Sequence, residues 1–340
     1  MSNTRATAAA GGALIACSGC SLHNAQNALD VSGPQASSIA GLWWMMLPIG
    51  AVVWVLVVSV LLMGIARTRN ASSAETIARD DVRERRLTRV VIGAVAVTVV
   101  TLFLVLMSDF RVGQALTLPP ATKVVPIKIV GHQYWWEIQY PDSIAQNIVV
   151  TANELHIPAG KEIMLELASR DVIHSFWVPS LAGKKDLLPG YTRSLWFRAD
   201  TAGVYRGQCA EFCGLEHAKM GLLVIAESQQ RYDEWIKAQQ APGAEPTDSL
   251  AVRGKAVFLG TSCAMCHSIG GTSAGAQLGP DLTHIASRRT IAAGSLPNTE
   301  ANLSSWISDP QQIKPGTIMP ATKLNPRDLK ALVAYLRQLQ

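Results

Sequence analysis

Gln208-Cys209-Ala210-Glu211-Phe212-Cys213-Gly214-Leu215-Glu216-His217-Ala218-Lys219-Met220 places two thiols, an imidazole and a thioether in one short loop. That donor set is what soft copper selects. On both sides of the loop lie short β-like runs broken by Pro, Gly, Asn and Asp. They are Val124–Val130, Ile148–Val150, Ile163–Leu167, Ser194–Phe197 and Leu222–Ile225. Several short strands with such turn signals predict an antiparallel sandwich or barrel, from which the loop projects.

Two cysteines four residues apart can also form a disulfide. Against that reading, His217 and Met220 follow at a spacing that returns them to the thiols. A mononuclear copper site needs one thiolate, whereas two in one loop can bridge two coppers. The loop holds a single histidine, so a binuclear site requires another. His132 and His156 compete for the place with His174, which starts a strand-like segment, Asp171-Val172-Ile173-His174-Ser175-Phe176-Trp177-Val178-Pro179.

Farther along, Cys263-Ala264-Met265-Cys266-His267 is the C-x-x-C-H signature of covalent c-type haem attachment. A bare C-x-x-C could be a thiol redox pair; the adjoining His267 favours haem. His267 would be one axial ligand. A thioether opposite it favours ferrous iron, and Met319 in Lys314-Pro315-Gly316-Thr317-Ile318-Met319-Pro320 is the candidate, with His284 its rival. Met265 lies inside the haem motif and cannot reach the far face. Around these residues the composition turns helical, with helices expected over 252–259, 301–308 and 328–336. A short helix over 231–240 and the Pro- and Gly-bearing stretch 241–249 join the two soluble parts.

The chain has 340 residues, 49% of them hydrophobic, and that excess is concentrated. Leu42–Ile65 and Val90–Met107 are almost uninterrupted apolar runs, and roughly 17 to 25 such residues cross a bilayer as a helix. Neither run has a polar face, which argues against two buried core helices. Seven arginines lie between them (Arg67, Arg69, Arg79, Arg83, Arg85, Arg86 and Arg89), so the intervening loop is expected on the cytoplasmic side. The chain after about Phe110 is then extracytoplasmic. Near the start, Leu14-Ile15-Ala16-Cys17 ends a short apolar stretch suited to a signal peptide's core. Cys17 resembles the lipidated cysteine of a bacterial lipobox; Cys20, a Cys17–Cys20 disulfide and an unprocessed terminus are the alternatives. A formal net charge of +5, with no basic stripe interleaved with aromatics, gives no sign of nucleic-acid binding.

With these residues in view, the segment Val172–Met220 resembles subunit II of the haem–copper cytochrome c oxidases, and the likeness extends over roughly Leu42–Glu227. The resemblance implies a cupredoxin-like Greek-key sandwich carrying a binuclear CuA centre. It implies that His174 and His217 each bind one copper and that Cys209 and Cys213 bridge both. Met220 would bind one copper weakly, and Glu211 the other through its carbonyl. The Glu211 carboxylate would face a magnesium ion at the junction with subunit I. The segment Gly279-Pro280-Asp281-Leu282 resembles the stretch that packs against the proximal histidine in class I cytochromes c.

The expected organisation is a signal or lipobox region over 1–20 and a transmembrane hairpin over 40–108 with a cytoplasmic loop at 66–89. A CuA domain over 120–227, a helix and linker over 228–249, and an all-α cytochrome c domain over 250–340 follow. The implied activity is electron transfer from an upstream cytochrome or cytochrome complex to the chain's own haem, to copper, and then to haem a of subunit I. Oxygen would be reduced to water there, coupled to proton translocation. Subunit III and membrane lipid are further expected partners, and the bacterial cytoplasmic membrane is the expected location, with both redox domains periplasmic.

One departure stands out. The family usually reads Gly-His-Gln-Trp-Tyr-Trp where this chain has Gly131-His132-Gln133-Tyr134-Trp135-Trp136. Electrons from soluble cytochrome c enter the family at the first tryptophan, which is Tyr134 here; Trp135 and Trp136 complete the candidate aromatic set. Ordinary packing beneath the copper is one account, and a docking surface altered because the donor is attached is the other. Two rival functions stay open: a nitrous oxide reductase-like copper protein, which has no membrane hairpin before its copper domain, and a membrane-anchored carrier serving several acceptors. A quinol oxidase subunit II has lost the copper ligands.

Overall fold

The computed structural model describes residues 26–69, 81–117, 119 and 123–340. The signal and lipobox region with Cys17 and Cys20, and the middle of the arginine-rich loop, lie outside them. Two compact units result, Ser37–Leu118 and the remainder.

Helix α1 runs over Pro34–Arg69 and α2 over Asp81–Ala115. Both are long and apolar enough to cross a membrane. Their large side chains stay uncovered by protein: Trp54 is 66% and Val97 68% exposed. A contiguous apolar surface of that extent is stable against lipid rather than water. Helical structure outruns the apolar stretches, so Arg67 and Arg69 occupy the last turn of α1 and Arg83, Arg85, Arg86 and Arg89 lie within α2.

The β domain is a sandwich of two five-stranded sheets. One has the order β3-β2-β1-β5-β8, with β1 Val125–His132, β2 Trp135–Tyr140, β3 Val149–Ala152, β5 Ile163–Ser169 and β8 Arg193–Phe197. The other has the order β4-β10-β9-β6-β7, with β4 Glu154–Pro158, β6 His174–Trp177, β7 Lys185–Leu187, β9 Gly203–Cys209 and β10 Gly221–Glu227. Alternation along the strands builds the core. Ile127 and Ile129 of β1 and Ile163, Leu165 and Leu167 of β5 point inward, while Glu166 faces out. Burying each such side chain is worth about 1.5–3 kcal/mol. The sandwich is not purely antiparallel as expected, because β1 pairs with β5, and β4 with β10, in parallel. Those pairs are not adjacent in sequence, so no short-range turn signal could have revealed them.

Helix α3 (Gln229–Gln239) closes the domain, capped by Ser228, which accepts from Arg231 N–H. The last domain is helical: α4 Ser249–Gly260, α5 Glu300–Ser308, α6 Pro310–Ile313 and α7 Pro326–Leu336. Asp248 caps α4, Thr299 caps α5, and Asn325 followed by Pro326 starts α7. Leu332, Val333, Tyr335 and Leu336 turn the apolar face of α7 into a core with Phe258 of α4. A small hairpin, β11 Thr290–Ile291 with β12 Leu296–Pro297, interrupts the helices.

Candidate metal centre and haem site

Sheet register assembles the first site. Strands β9 and β10 are antiparallel neighbours, and Cys209 N–H donates to the Met220 carbonyl at 2.9 Å, closing the base of the loop between them. On the other side of β9, Phe176 pairs with Cys209, which brings β6 and its first residue, His174, beside the loop. His217 opens a short 3-10 turn whose N–H bonds back to Gly214 O at 3.1 Å.

The side chains converge. Cys209 and Cys213 Sγ lie 3.8 Å apart, free of any disulfide. His174 Nδ1 is 3.9 Å and Glu211 O 3.2 Å from Cys209 Sγ. His217 Nδ1 is 3.7 Å and Met220 Sδ 3.8 Å from Cys213 Sγ. Imidazole nitrogens therefore flank a two-sulfur core at both ends, with a carbonyl on one side and a thioether on the other. His174, Cys209, Cys213 and Met220 are buried. This is a donor set that soft, redox-active metal fits, closed to solvent on the His174 side and half-open at His217.

Supporting groups hold the donors in place. His174 Nε2 lies 2.8 Å from Asp171 Oδ1, which turns Nδ1 toward the sulfurs. Burial opposes a charged His174, yet Asp171 and Cys209 together raise its pKa overall. In Cys209 the contact with the Cys213 sulfur outweighs burial and, with His174, pulls the thiol pKa far down, while Cys209 and burial push the Cys213 thiol up. Gln133 spans both halves of the site: its backbone N–H donates to Asp171 Oδ2 at 2.7 Å and its Nε2 to Cys213 O at 2.6 Å. Gly131 packs flat against His174, and a Cβ there would sit 2.8 Å from the ring's Cδ2. Trp136 is fully buried with its edge toward His174, at a 6.0 Å centroid distance. Tyr134 is buried too, and its hydroxyl accepts from Leu215 N–H at 3.1 Å. The Glu211 carboxylate lies 3.5 Å from the Lys184 ammonium, both partly exposed.

The competing histidines have other work. His132 stacks on Trp135 at 4.3 Å and meets Glu137 at 3.2 Å. His156 stacks on Trp235 at 4.0 Å and meets Glu227 at 3.1 Å.

In the helical domain, a 3-10 turn over Ser262–Met265 presents Cys263 and Cys266 as free, half-buried thiols. His267 Nδ1 donates to Pro280 O at 2.7 Å, which leaves the lone pair of Nε2 available to a ligand. Burial lowers the His267 pKa and so favours the neutral imidazole. Gly279 lies against this ring, where a Cβ would be 2.6 Å from Cε1. Gly279 and Pro280 thus contact His267, while Asp281 and Leu282 bond to the next residue, Ser268. Met319 is half-buried on a loop whose backbone is held by one side chain: Gln311 Nε2 donates to Thr317 O at 2.8 Å and to Met319 O at 3.0 Å. His284 is taken up elsewhere, within reach of Gln340 O at 2.7 Å and Ala241 O at 3.1 Å. Met265 is 67% exposed.

Asp171, Gln133 and Gln311 were missed from sequence. Asp171, three residues before His174, and Gln133, beside Tyr134, both stood in segments already singled out, whereas Gln311 carried no signal.

Residues 143–227 match the family model for the periplasmic domain of cytochrome C oxidase subunit II, and residues 251–340 match that for cytochrome c. Cytochrome c oxidase subunit 2 of Alkalihalophilus pseudofirmus is 44% identical over 64% of this chain and 61% of its own length. That of Bacillus sp. strain PS3 is 34% identical over 64% of this chain and 62% of its own. The chain thus spans a little over three fifths of these relatives. The crystal structure of the periplasmic domain of subunit II (CoxB) of Bradyrhizobium japonicum is 28% identical, with a TM-score of 0.34 over 36% of this chain and 97% of that one. Residues 143–227 are thus similar to the periplasmic domain of cytochrome c oxidase subunit II, and residues 251–340, after them in the same chain, to cytochrome c.

Proposed function

We propose that the chain is the electron-receiving subunit of a membrane-bound haem–copper oxidase, with its own haem c as donor to a binuclear copper centre. The observation that carries this reading is the convergence of two free sulfurs with two imidazole nitrogens at 3.7–3.9 Å. His174 and His217 would each hold one copper and Cys209 and Cys213 would bridge them. Met220 and the Glu211 carbonyl would complete the set. Two coppers bridged by sulfur share one electron, which keeps structural change on reduction small. Cys263 and Cys266 would form the thioethers, and His267 and Met319 would hold the iron axially. A magnesium ion at the Glu211 carboxylate would have to displace Lys184.

From there electrons would pass to haem a of a subunit I, where oxygen is reduced to water with proton translocation. Subunit III would complete the assembly. Two apolar helices with arginines at their linked ends support a two-pass anchor in the bacterial cytoplasmic membrane, with both redox domains periplasmic. A tethered donor has an effective concentration of order mM whatever the supply of soluble cytochrome.

The test is to isolate the complete membrane complex through this chain. A haem-bearing subunit I should co-purify, and oxygen consumption should proceed without added soluble cytochrome when a small reductant serves the haem. Recovery of the chain with no such partner would favour the free-standing carrier; strict dependence on soluble cytochrome would remove the tether's role.

A further inference from the structure

The two redox domains are not merely strung together. Lys314, on the loop that leads to Met319, is 2% exposed, and its ammonium donates to Tyr134 O at 2.9 Å and reaches Ala292 O at 3.4 Å. Tyr134 in turn accepts from Leu215, between Cys213 and His217. One buried lysine therefore joins the Met319 loop to the copper loop through a single residue. Nearby, Lys219 Nζ donates to Ile313 O at 2.6 Å, and Gly316 rests on Leu215.

A second cluster fixes the rotation of one domain on the other. Glu154, also 2% exposed, opens β4, and its Oε1 accepts from Thr290 N–H at 2.8 Å and from Thr290 Oγ1 at 3.1 Å. Gly221 N–H, at the start of β10, donates to Ala293 O at 2.9 Å. The β11–β12 hairpin that interrupts the helical domain is thus seated on the copper domain.

Burying an ammonium and a carboxylate costs desolvation energy, and such groups specify one geometry more than they add strength. Burial accordingly lowers the Lys314 pKa to about 8. A linker alone would have needed neither group.

We propose that Lys314 is a positioning residue that locks the Met319 loop onto Tyr134, so that haem and copper meet in one fixed register rather than by random encounter of tethered domains. The proposal rests on the function proposed above. The step it serves moves one electron, oxidising the haem iron and reducing the copper pair, with no bond made or broken and no proton transferred. It also gives Tyr134 a reason: where a soluble donor would dock on an exposed tryptophan, this position is covered by the attached one.

The test uses the full chain in its purified complex. Lys314→Met and, for an independent contact remote from the metal donors, Thr290→Val would be compared with wild type. Intramolecular transfer from photoreduced haem to copper gives the rate, and dipolar spectroscopy between the two paramagnetic centres gives the distance distribution. Copper and haem content should match wild type, while the distance distribution broadens. Because a hydrogen bond from a charged donor is lost, the rate for Lys314→Met should fall roughly tenfold; Thr290→Val should shift both readouts in the same direction. Wild-type rates and a wild-type distance distribution in both variants, with the metals intact, would overturn the proposal. Wild-type protein lacking the copper or haem signals would instead overturn the functional reading beneath it.

Discussion

Asp171 Oδ1 sits 2.8 Å from His174 Nε2, while the other ring nitrogen of His174 faces Cys209 Sγ at 3.9 Å. The carboxylate thus sets which imidazole nitrogen is offered to metal. Its second oxygen takes the Gln133 backbone N–H, so it cannot rotate away without leaving a donor unpaired. Orienting carboxylates of this kind are worth about 10–100-fold in metal affinity. Asp171→Asn should weaken copper retention by that order in a chelator competition, with the fold intact by circular dichroism. Unaltered retention would mean that the ring is held by packing alone.

Met220 Sδ lies 3.8 Å from Cys213 Sγ and is fully buried. Met220→Leu nearly conserves volume, so its stability cost should stay below about 1.5 kcal/mol. Thiolates and imidazoles carry most of the affinity. Both coppers should therefore remain, with a changed absorption spectrum and potential. Complete copper loss would contradict a weak thioether ligand.

Gly279 is the backing plate of His267. In Gly279→Ala the new methyl would sit 2.6 Å from Cε1, so ring or backbone must shift. Overpacking of this kind costs roughly 1–3 kcal/mol. A lower thermal midpoint and a perturbed low-spin haem spectrum are expected. A variant indistinguishable from wild type would show that the 279–282 segment has slack.

Lys314 gives a pH signature. Burial lowers its folded-state pKa from 10.5 to about 8, so the unfolded chain binds the extra proton between those values. Stability therefore rises with pH across that window: the cost of burying the ammonium is fully present below about pH 8 and is relieved toward 10.5. The stability difference between wild type and Lys314→Met should drift in favour of wild type by on the order of 2–3 kcal/mol from pH 8 to 10.5. A flat difference, measured by denaturant unfolding, would place the lysine in solvent.

Much of this molecule could be read before its coordinates. The proposed copper donors cluster in sequence because all but His174 share one hairpin loop, and the C-x-x-C-H motif is contiguous by chemical necessity. The helices expected over 252–259, 301–308 and 328–336 begin slightly earlier in the structure, at Ser249, Glu300 and Pro326, where Asp248, Thr299 and Asn325 cap them. The parallel pairings of β1 with β5 and β4 with β10 were not, because register between distant strands leaves no local mark. The domain interface escaped for the same reason. Lys314 looks like any loop lysine until Tyr134, 180 residues away, is seen beneath it. The substitution at Tyr134 was visible, but the group that covers it was not.

Electron paramagnetic resonance of the oxidised, metal-loaded full chain, with copper and iron counted on the same sample, bears most directly on the account. Two coppers per haem, with one unpaired electron coupled equally to both copper nuclei, is the expected result. A signal from a single copper nucleus, or mass spectrometry finding Cys209 and Cys213 joined as a disulfide in the loaded protein, would contradict it.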